Sequence, residues 1–177
     1  MPARISSACA RPATPYWPAA RTSVAEYHVS RILPYTPDQL FALVGDVAAY
    51  PQFIPWITSM RAGEARPAGE GVTTLDAEAG VGFSFLRERF ETRVRRDANA
   101  NQITVGLLSG PFRRLDNRWA FRPHAMGCEV VFDIDFQFKA RMLDVLLKAN
   151  FGYAVDKLIA CFEARARELY GETVAGV

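Results

Sequence analysis

The sequence predicts an α+β fold in which a curved antiparallel sheet of about seven strands wraps around one long C-terminal helix. Two observations lead to this prediction. Residues 57–138 hold repeated strand patterns that are separated by turn residues, and residues 141–170 change to the three- and four-residue spacing of a helix. One sheet and one apolar helix can bury a single core between them.

Length and composition indicate one globular domain. The chain has 177 residues, half of them apolar, which is enough for one core. The net charge of +2 is too small to predict nucleic-acid binding, so we expect no DNA partner. Cys9, Cys128 and Cys161 are far apart and form no CxxC pair, which argues against a disulfide framework or a thiolate metal site. Free cysteines are typical of a reducing compartment such as the cytoplasm.

Residues 1–23 are predicted to be a disordered tail outside the domain, which spans 24–171 and is followed by a short tail over 172–177. The first segment carries four prolines, and no acidic residue precedes Glu26. It can therefore form neither a helix nor a core. Its basic composition resembles an organelle transit peptide, but the prolines interrupt the amphipathic helix of such a peptide. A tail, or a start codon placed too far upstream, fits better.

A strand and two short helices open the domain. Residues 24–33 alternate moderately and end at a proline, which predicts the first strand. Thr36 is the predicted N-cap of the first helix, with Pro37 at its first position and Gln39 completing a capping box. A second short helix is predicted over 46–50.

Residues 50–56 read YPQFIPW and form an irregular aromatic segment. Each proline lacks an N–H group and fixes φ, which excludes a regular helix or a central strand. Large apolar side chains in such a segment either fill a core or line a pocket. Its place between a short helix and a run of strands favours the pocket, with Phe53, Ile54 and Trp56 as a lid at the mouth.

Six further strands are predicted near residues 57–65, 71–79, 82–95, 101–108, 112–122 and 127–138. The last one alternates most clearly, with its phenylalanines on one face and Asp133 and Asp135 on the other. One face of the sheet is therefore dry and the other wet, as in an antiparallel sheet that is covered on one side.

The long helix is predicted over 141–170. Its apolar stripe consists of Phe151, Val155, Leu158, Phe162, Ala166 and Leu169. Gly152 weakens the helix and leaves room for another group to approach the backbone, while Gly171 is the predicted C-terminal cap. This order of elements describes a helix-grip domain.

Four motifs occur in a fixed order along the domain: LPYTP at 33–37, YPQFIPW at 50–56, FLRERFETRV at 85–94 and GPFRRLDNRW at 110–119. They resemble the coenzyme Q-binding family of the START-like, polyketide-cyclase superfamily, over residues 24–171. The resemblance implies a START-like fold and a non-enzymatic role, the binding of ubiquinone or a similar isoprenoid lipid in an apolar tunnel. It also implies support of respiratory electron transport, or quinone delivery to respiratory complexes. Bacterial members are also labelled ribosome association toxins, so the ribosome is the alternative partner.

The expected tunnel wall consists of large apolar side chains: Phe41, Phe53, Ile54, Trp56, Phe83, Phe112, Leu115, Trp119, Phe121, Phe132, Phe136, Phe138, Leu147, Phe151, Val155 and Leu158. A quinone head group carries only acceptor oxygens, so it needs hydrogen-bond donors. The candidate donors are Tyr35, Arg113, Arg114 and Arg118. Alternatively, these arginines pair with Glu88, Glu91 or Asp116 on the outer face of the sheet.

The start of the long helix is basic and apolar. Lys139, Arg141 and Lys148 lie near Met142, Leu146 and Leu147. Such a surface suits contact with an anionic membrane, although a solvated flank of a core helix has the same composition. We expect a cytoplasmic protein that works at the inner membrane, or at the mitochondrial inner membrane in a eukaryote.

Neither catalysis nor a metal or catalytic cofactor is expected. His28 and His124 have no nucleophile or carboxylate at an informative spacing, and no metal-binding, nucleophile or nucleotide motif occurs. A polyketide cyclase-like enzyme is the alternative. It would need an acid or base in the tunnel, for which Glu78, Glu88 and Glu91 are candidates. Ribosome binding would need a basic surface, and the arginines of residues 87–122 are interleaved with acids.

Overall fold

An eight-stranded antiparallel sheet and a 30-residue helix form the two layers of the domain. The computed structural model describes residues 26–83 and 86–171, apart from the side chains of 83, 86, 143 and 146–148. The predicted tails over 1–23 and 172–177 lie outside these residues.

Strands and helices follow one another in the predicted order. The strands are β1 (Glu26–Leu33), β2 (Ile57–Ala62), β3 (Arg66–Pro67), β4 (Val72–Phe83), β5 (Leu86–Asp97), β6 (Gln102–Ser109), β7 (Phe112–His124) and β8 (Gly127–Phe138). The helices are α1 (Pro37–Gly45), a 3₁₀ helix (Val47–Gln52) and α2 (Arg141–Tyr170). The α+β prediction, with a curved antiparallel sheet and a long C-terminal helix, is confirmed.

The sheet has the order β1-β8-β7-β6-β5-β4-β2, and β3 pairs with β4 beside this path. The described residues contain eight strands, whereas about seven were predicted. The additional strand is β3, which is only two residues long and was therefore missed. The strand predicted over 71–79 was too short. β4 continues to Phe83 and β5 begins at Leu86, since the alternation of Ala77 and Ala79 continues to Val81 beyond the predicted end.

The start of α1 follows the predicted capping box. The Thr36 hydroxyl accepts a hydrogen bond from the Gln39 amide at 3.2 Å, and the Gln39 side chain accepts one from the Thr36 amide at 2.9 Å. Pro37 occupies the first helical turn. Leu40 and Leu43 are buried beneath this helix.

The aromatic segment serves both of the roles that were considered for it. Its first residues end a 3₁₀ helix that contains Pro51, in place of the predicted helix over 46–50. Ile54 is completely buried at 0% exposure and fills the core. Trp56 is only partly buried, and the Tyr50 hydroxyl donates to the carbonyl of Val44 at 2.6 Å.

α2 covers the inner face of the sheet. Among its described side chains, Val155, Ile159, Phe162 and Ala166 are the buried apolar ones. Gly171 caps the helix with a φ of 79°, and its amide donates to the Arg167 carbonyl at 2.9 Å.

Two details of α2 differ from the prediction. Leu169 is 50% exposed. Tyr170 takes the inward position of this turn, because it continues the four-residue step from Phe162 and Ala166 and donates to the Gln39 carbonyl at 3.0 Å. A side chain at Gly152 would meet the Tyr27 ring at an ordinary 3.7 Å, so the predicted close approach to its backbone is not a tight one.

Candidate functional site

A cavity of about 350 Å³ lies between the sheet and α2. Side chains from β4 to β8 form one wall, and α2 and the aromatic segment form the others. The wall is almost wholly apolar. The volume of the cavity falls in the range of about 300–1,000 Å³ that is typical of small-molecule sites.

Most of the residues predicted to line a tunnel lie on this wall: Trp56, Phe112, Leu115, Trp119, Phe132, Phe136, Phe138, Phe151, Val155 and Leu158. They share the inward face of a strand or the sheet-facing side of α2. The Trp119 and Phe132 rings lie 4.3 Å apart, and the Phe136 and Phe151 rings 4.1 Å apart. The first contact packs β7 against β8, and the second joins the sheet to α2.

Four residues predicted for the wall lie elsewhere. Phe41 and Phe121 pack edge to face at 6.1 Å beneath α1, and Ile54 is part of the same core. Phe53 packs on Phe162 at 5.2 Å. Their apolar character predicted burial, whereas the place of each in the core depends on α1 and the 3₁₀ helix. The side chains of Phe83 and Leu147 lie outside the described residues.

The predicted head-group donors do not line the cavity. Tyr35 is 7% exposed, and its hydroxyl donates to the Gly171 carbonyl at 3.3 Å within the core. Arg114 pairs with Asp135, and Arg118 donates to Asp133 at 2.7 Å, both on the outer face of the sheet.

Arg113 is exposed and is not a wall residue either. The alternative, in which arginines pair with carboxylates, therefore describes Arg114 and Arg118. Their main partners come from β8, and Asp116 lies 3.5 Å from Arg114 as a further one.

Asp133, on the outer face of the sheet, combines partial burial with two hydrogen-bonded partners. Burial acts to raise its pKa. Hydrogen bonds from His28 at 2.6 Å and from Arg118 outweigh this effect, so the pKa of Asp133 is held below its ordinary value. This charge cluster lies on the side of the sheet opposite to the cavity, because strand neighbours alternate between the two faces.

Several polar residues on the wall were not among those predicted for a lipid site: Tyr50, Glu88, Thr92, Asn117, Asn150 and Lys157. Strand alternation could have indicated Thr92 and Asn117, because each is flanked at two-residue spacing by apolar wall residues. Tyr153 is 65% exposed and Lys157 is also exposed, so this part of α2 marks the mouth.

The wall carries few groups for acid, base or nucleophilic chemistry. Glu88, which was considered as a catalytic acid, is the one carboxylate among the described wall residues. Burial raises the pKa of Cys128 to about 11 and also raises that of Cys161, so neither thiol is an activated nucleophile. Within residues 26–83 and 86–171, no group of three histidine, cysteine or acidic side chains is arranged to hold a metal ion.

Within the same ranges, no helix combines the length and the apolar character that crossing a bilayer would require.

Comparison with known proteins supports the sequence resemblance. Residues 33–163 match the family model for polyketide cyclase / dehydrase and lipid transport. The ribosome association toxin RatA of Rickettsia prowazekii is 38% identical over 144 residues, which cover 79% of this chain and 94% of that protein. The mitochondrial coenzyme Q-binding protein COQ10 homolog B of Xenopus laevis is 28% identical over 151 residues, or 82% of this chain and 59% of that protein.

A solved structure has the same fold. The solution structure of an 18 kDa protein from Caulobacter crescentus is 58% identical and superposes with a TM-score of 0.71, over 83% of this chain and 99% of that one. The match of residues 33–163 to the family model confirms the family that the motifs indicated. The chain therefore belongs to the polyketide cyclase / dehydrase and lipid transport family.

Proposed function

We propose that the protein binds ubiquinone, or a quinone with a similar isoprenoid tail, in the cavity between the sheet and α2, and that it acts as a carrier without catalysing a reaction. One observation supports this most directly: the cavity of about 350 Å³ is walled almost entirely by apolar side chains and opens at α2. A relative named as a coenzyme Q-binding protein matches 82% of the chain.

The cost of an empty cavity supports a bound lipid. At about 24 cal/mol per Å³, a void of 350 Å³ would destabilise the fold by up to about 8 kcal/mol. This is an upper bound, because the coefficient comes from cavities made by truncation. It is still comparable with a whole folding stability of about 5–15 kcal/mol. A ligand that fills the cavity stabilises the folded protein.

The apolar tail alone does not explain selective binding. Each buried CH₂ group contributes about 0.8 kcal/mol relative to water, but a bilayer offers the tail the same environment. A carrier must therefore ease the exit of the lipid from the bilayer and recognise the head group. The aromatic segment at Trp56 and the exposed part of α2 near Tyr153 lie where a lipid would pass.

The first turn of α2 offers a surface for contact with a membrane. Met142 is 80% exposed and Val145 is 64% exposed, and the exposed cations Lys139 and Arg141 adjoin them. Apolar and basic residues together favour the surface of an anionic membrane. We therefore propose that the protein works against the inner membrane, where quinones and respiratory complexes are found. The predicted contributions of Leu146, Leu147 and Lys148 fall on side chains outside the described residues.

Organic extraction and mass spectrometry of the protein purified from a quinone-producing host test the proposal. We expect stoichiometric quinone in the wild-type protein and none in Ala77→Phe, which places a ring in the cavity. Ala62→Phe, at an exposed position on β2, is the matched control and should retain the lipid. A folded wild-type protein without quinone, even after incubation with quinone-containing vesicles, would contradict the proposal.

Ribosome association is the second candidate function. The relative named for it is 38% identical and is matched over 94% of its length, which is more than for the coenzyme Q-binding relative. The outer face is less favourable, since Arg93, Arg114 and Arg118 pair with carboxylates and contribute little free positive charge to meet phosphate. Sedimentation with ribosomal subunits in sucrose gradients tests this function, and quinone-free and quinone-loaded samples separate it from lipid binding.

A further inference from the structure

Asn117 places an amide in an apolar part of the cavity wall. It lies on β7, and its side chain lines the cavity. Its neighbours across the sheet are Val105 on β6 and Ile134 on β8, and its same-face neighbours along β7 are Leu115 and Trp119. All four are apolar wall residues.

The amide oxygen of Asn117 is buried, and no protein group among the described residues donates a hydrogen bond to it. Buried polar atoms are almost always hydrogen-bonded, because leaving one unpaired destabilises the fold. A leucine has a similar size and would complete the apolar wall without this cost. The fold itself therefore does not explain an asparagine at this position.

Three other polar wall residues, Thr92, Tyr50 and Glu88, are less suited to recognise an oxidised quinone ring. The Thr92 hydroxyl donates to the Ala77 carbonyl at 3.4 Å, and the Tyr50 hydroxyl donates to the Val44 carbonyl at 2.6 Å. A carboxylate such as that of Glu88 offers acceptor oxygens, which cannot bond to the acceptor oxygens of an oxidised quinone ring.

We propose that the Asn117 amide binds the oxygen-bearing ring of the ligand and thereby distinguishes a quinone from a bare isoprenoid. This inference rests on the proposed function. An amide has one acceptor oxygen and two N–H donors, so it can donate to the carbonyl of an oxidised ring or accept from the hydroxyl of a reduced one. With the mouth near Tyr153 and Lys157, the ring lies inside the cavity and the tail leads towards the mouth.

Binding of two probes to wild type and to Asn117→Leu tests this role. The probes are a short-tailed ubiquinone and the isoprenoid hydrocarbon of the same tail without a ring. We expect Asn117→Leu to bind the quinone about tenfold more weakly, as for the loss of one buried hydrogen bond, and to bind the hydrocarbon as the wild type does. Its melting temperature without ligand should be equal or higher, because the unpaired oxygen is gone.

Val105→Ile is the matched control, since it changes the shape of the wall beside Asn117 without changing its hydrogen bonding. It should change the affinity for both probes in parallel. Asn117→Val gives the same contrast with a smaller side chain if the leucine variant does not fold. Infrared spectra of the bound quinone should show a lower carbonyl stretching frequency in wild type than in either Asn117 variant.

Equal quinone affinity and an equal carbonyl frequency in wild type and the Asn117 variants would overturn the inference and leave the proposed function standing. If the folded wild type binds neither probe, the proposed function fails and the inference fails with it. A tenfold loss for the hydrocarbon as well as the quinone would also overturn the inference, because Asn117 would then act only through the shape of the wall.

Discussion

The carbonyl oxygen of Trp56 accepts a hydrogen bond from the backbone amide of Gly82 at 2.8 Å. This bond fastens the end of the aromatic segment to the last part of β4, while the Trp56 ring lines the cavity. Because the main chain holds the segment in place, removal of the ring alters the cavity wall without releasing the segment.

Trp56→Ala should therefore slow the exchange of quinone with vesicles and lower the free energy of unfolding by only about 1–2 kcal/mol, since the ring is partly exposed. Ile54→Ala is the contrasting variant. Ile54 is completely buried, and its truncation should cost about 2–5 kcal/mol. Urea unfolding and a vesicle-exchange assay measure both effects. If Trp56→Ala costs several kcal/mol with unchanged exchange, the ring belongs to the core and the lid role is wrong.

Filling the cavity should stabilise the protein and prevent binding. Ala79 is buried on the wall, so Ala79→Leu should raise the free energy of unfolding of the ligand-free protein by about 0.5–2 kcal/mol, as cavity-filling substitutions do. It should weaken quinone binding at the same time. Calorimetric unfolding and quinone titration provide the measurements. A loss of stability with unchanged binding would mean that the space beside Ala79 is not available to a ligand.

Stability at acid pH should depend on Asp133. Its pKa in the folded protein is lowered, so its contribution is fully present above its unfolded pKa of about 3.9 and is lost as the pH falls through the folded value. Asp133→Asn should be less stable than wild type at pH 7 by roughly 1 kcal/mol, because solvent screens the partly exposed pairs. Below about pH 4 the difference should shrink. Urea unfolding across this range is the measurement, and a constant difference would contradict the expectation.

Helix capping should affect stability without affecting the ligand. Thr36→Ala removes the side-chain acceptor of the capping box and should cost about 0.5–2 kcal/mol. Thr36 is not a wall residue, so quinone affinity measured well below the melting temperature should stay the same. This variant also shows whether a moderate loss of stability by itself changes exchange with vesicles. A large change in affinity would reveal coupling between α1 and the cavity.

The exposed start of α2 should bind membranes. Burial of one such side chain contributes about 1.5–3 kcal/mol, so Met142→Glu with Val145→Glu should weaken binding to anionic vesicles at least about tenfold. Leu169→Glu, at an apolar site that is 50% exposed near the other end of the helix, should have no effect. Vesicle flotation is the measurement. An equal loss from both changes would indicate nonspecific binding through charge.

Features that depend on local sequence could be predicted. The capping box of Thr36 and Gln39 lies within four residues, and the alternation of Phe132, Phe136 and Phe138 follows from the geometry of one strand. The extent of α2 and its Gly171 cap are local in the same sense. These features, together with the motif resemblance, were sufficient to predict the fold and ten of the residues that line the cavity.

Features that depend on distant partners could not be predicted. The Tyr35 hydroxyl donates a hydrogen bond to the carbonyl of Gly171, which lies at the other end of the domain in the sequence. This contact holds Tyr35 in the core. The carboxylates that pair with Arg114 and Arg118 are Asp135 and Asp133 on β8, and they become known only from the register of β7 against β8. The lack of a partner for the side-chain oxygen of Asn117 becomes visible only when all neighbouring strands are in place.

A cavity that holds the proposed lipid would also link the lifetime of the protein to the supply of that lipid. A folded protein is protected from proteolysis in proportion to its stability, and the proposed lipid would raise that stability by occupying the space between the sheet and α2. Cells poor in quinone would degrade the unloaded protein, and cells rich in quinone would retain the loaded form. The amount of carrier would then follow the amount of cargo without any change in gene expression.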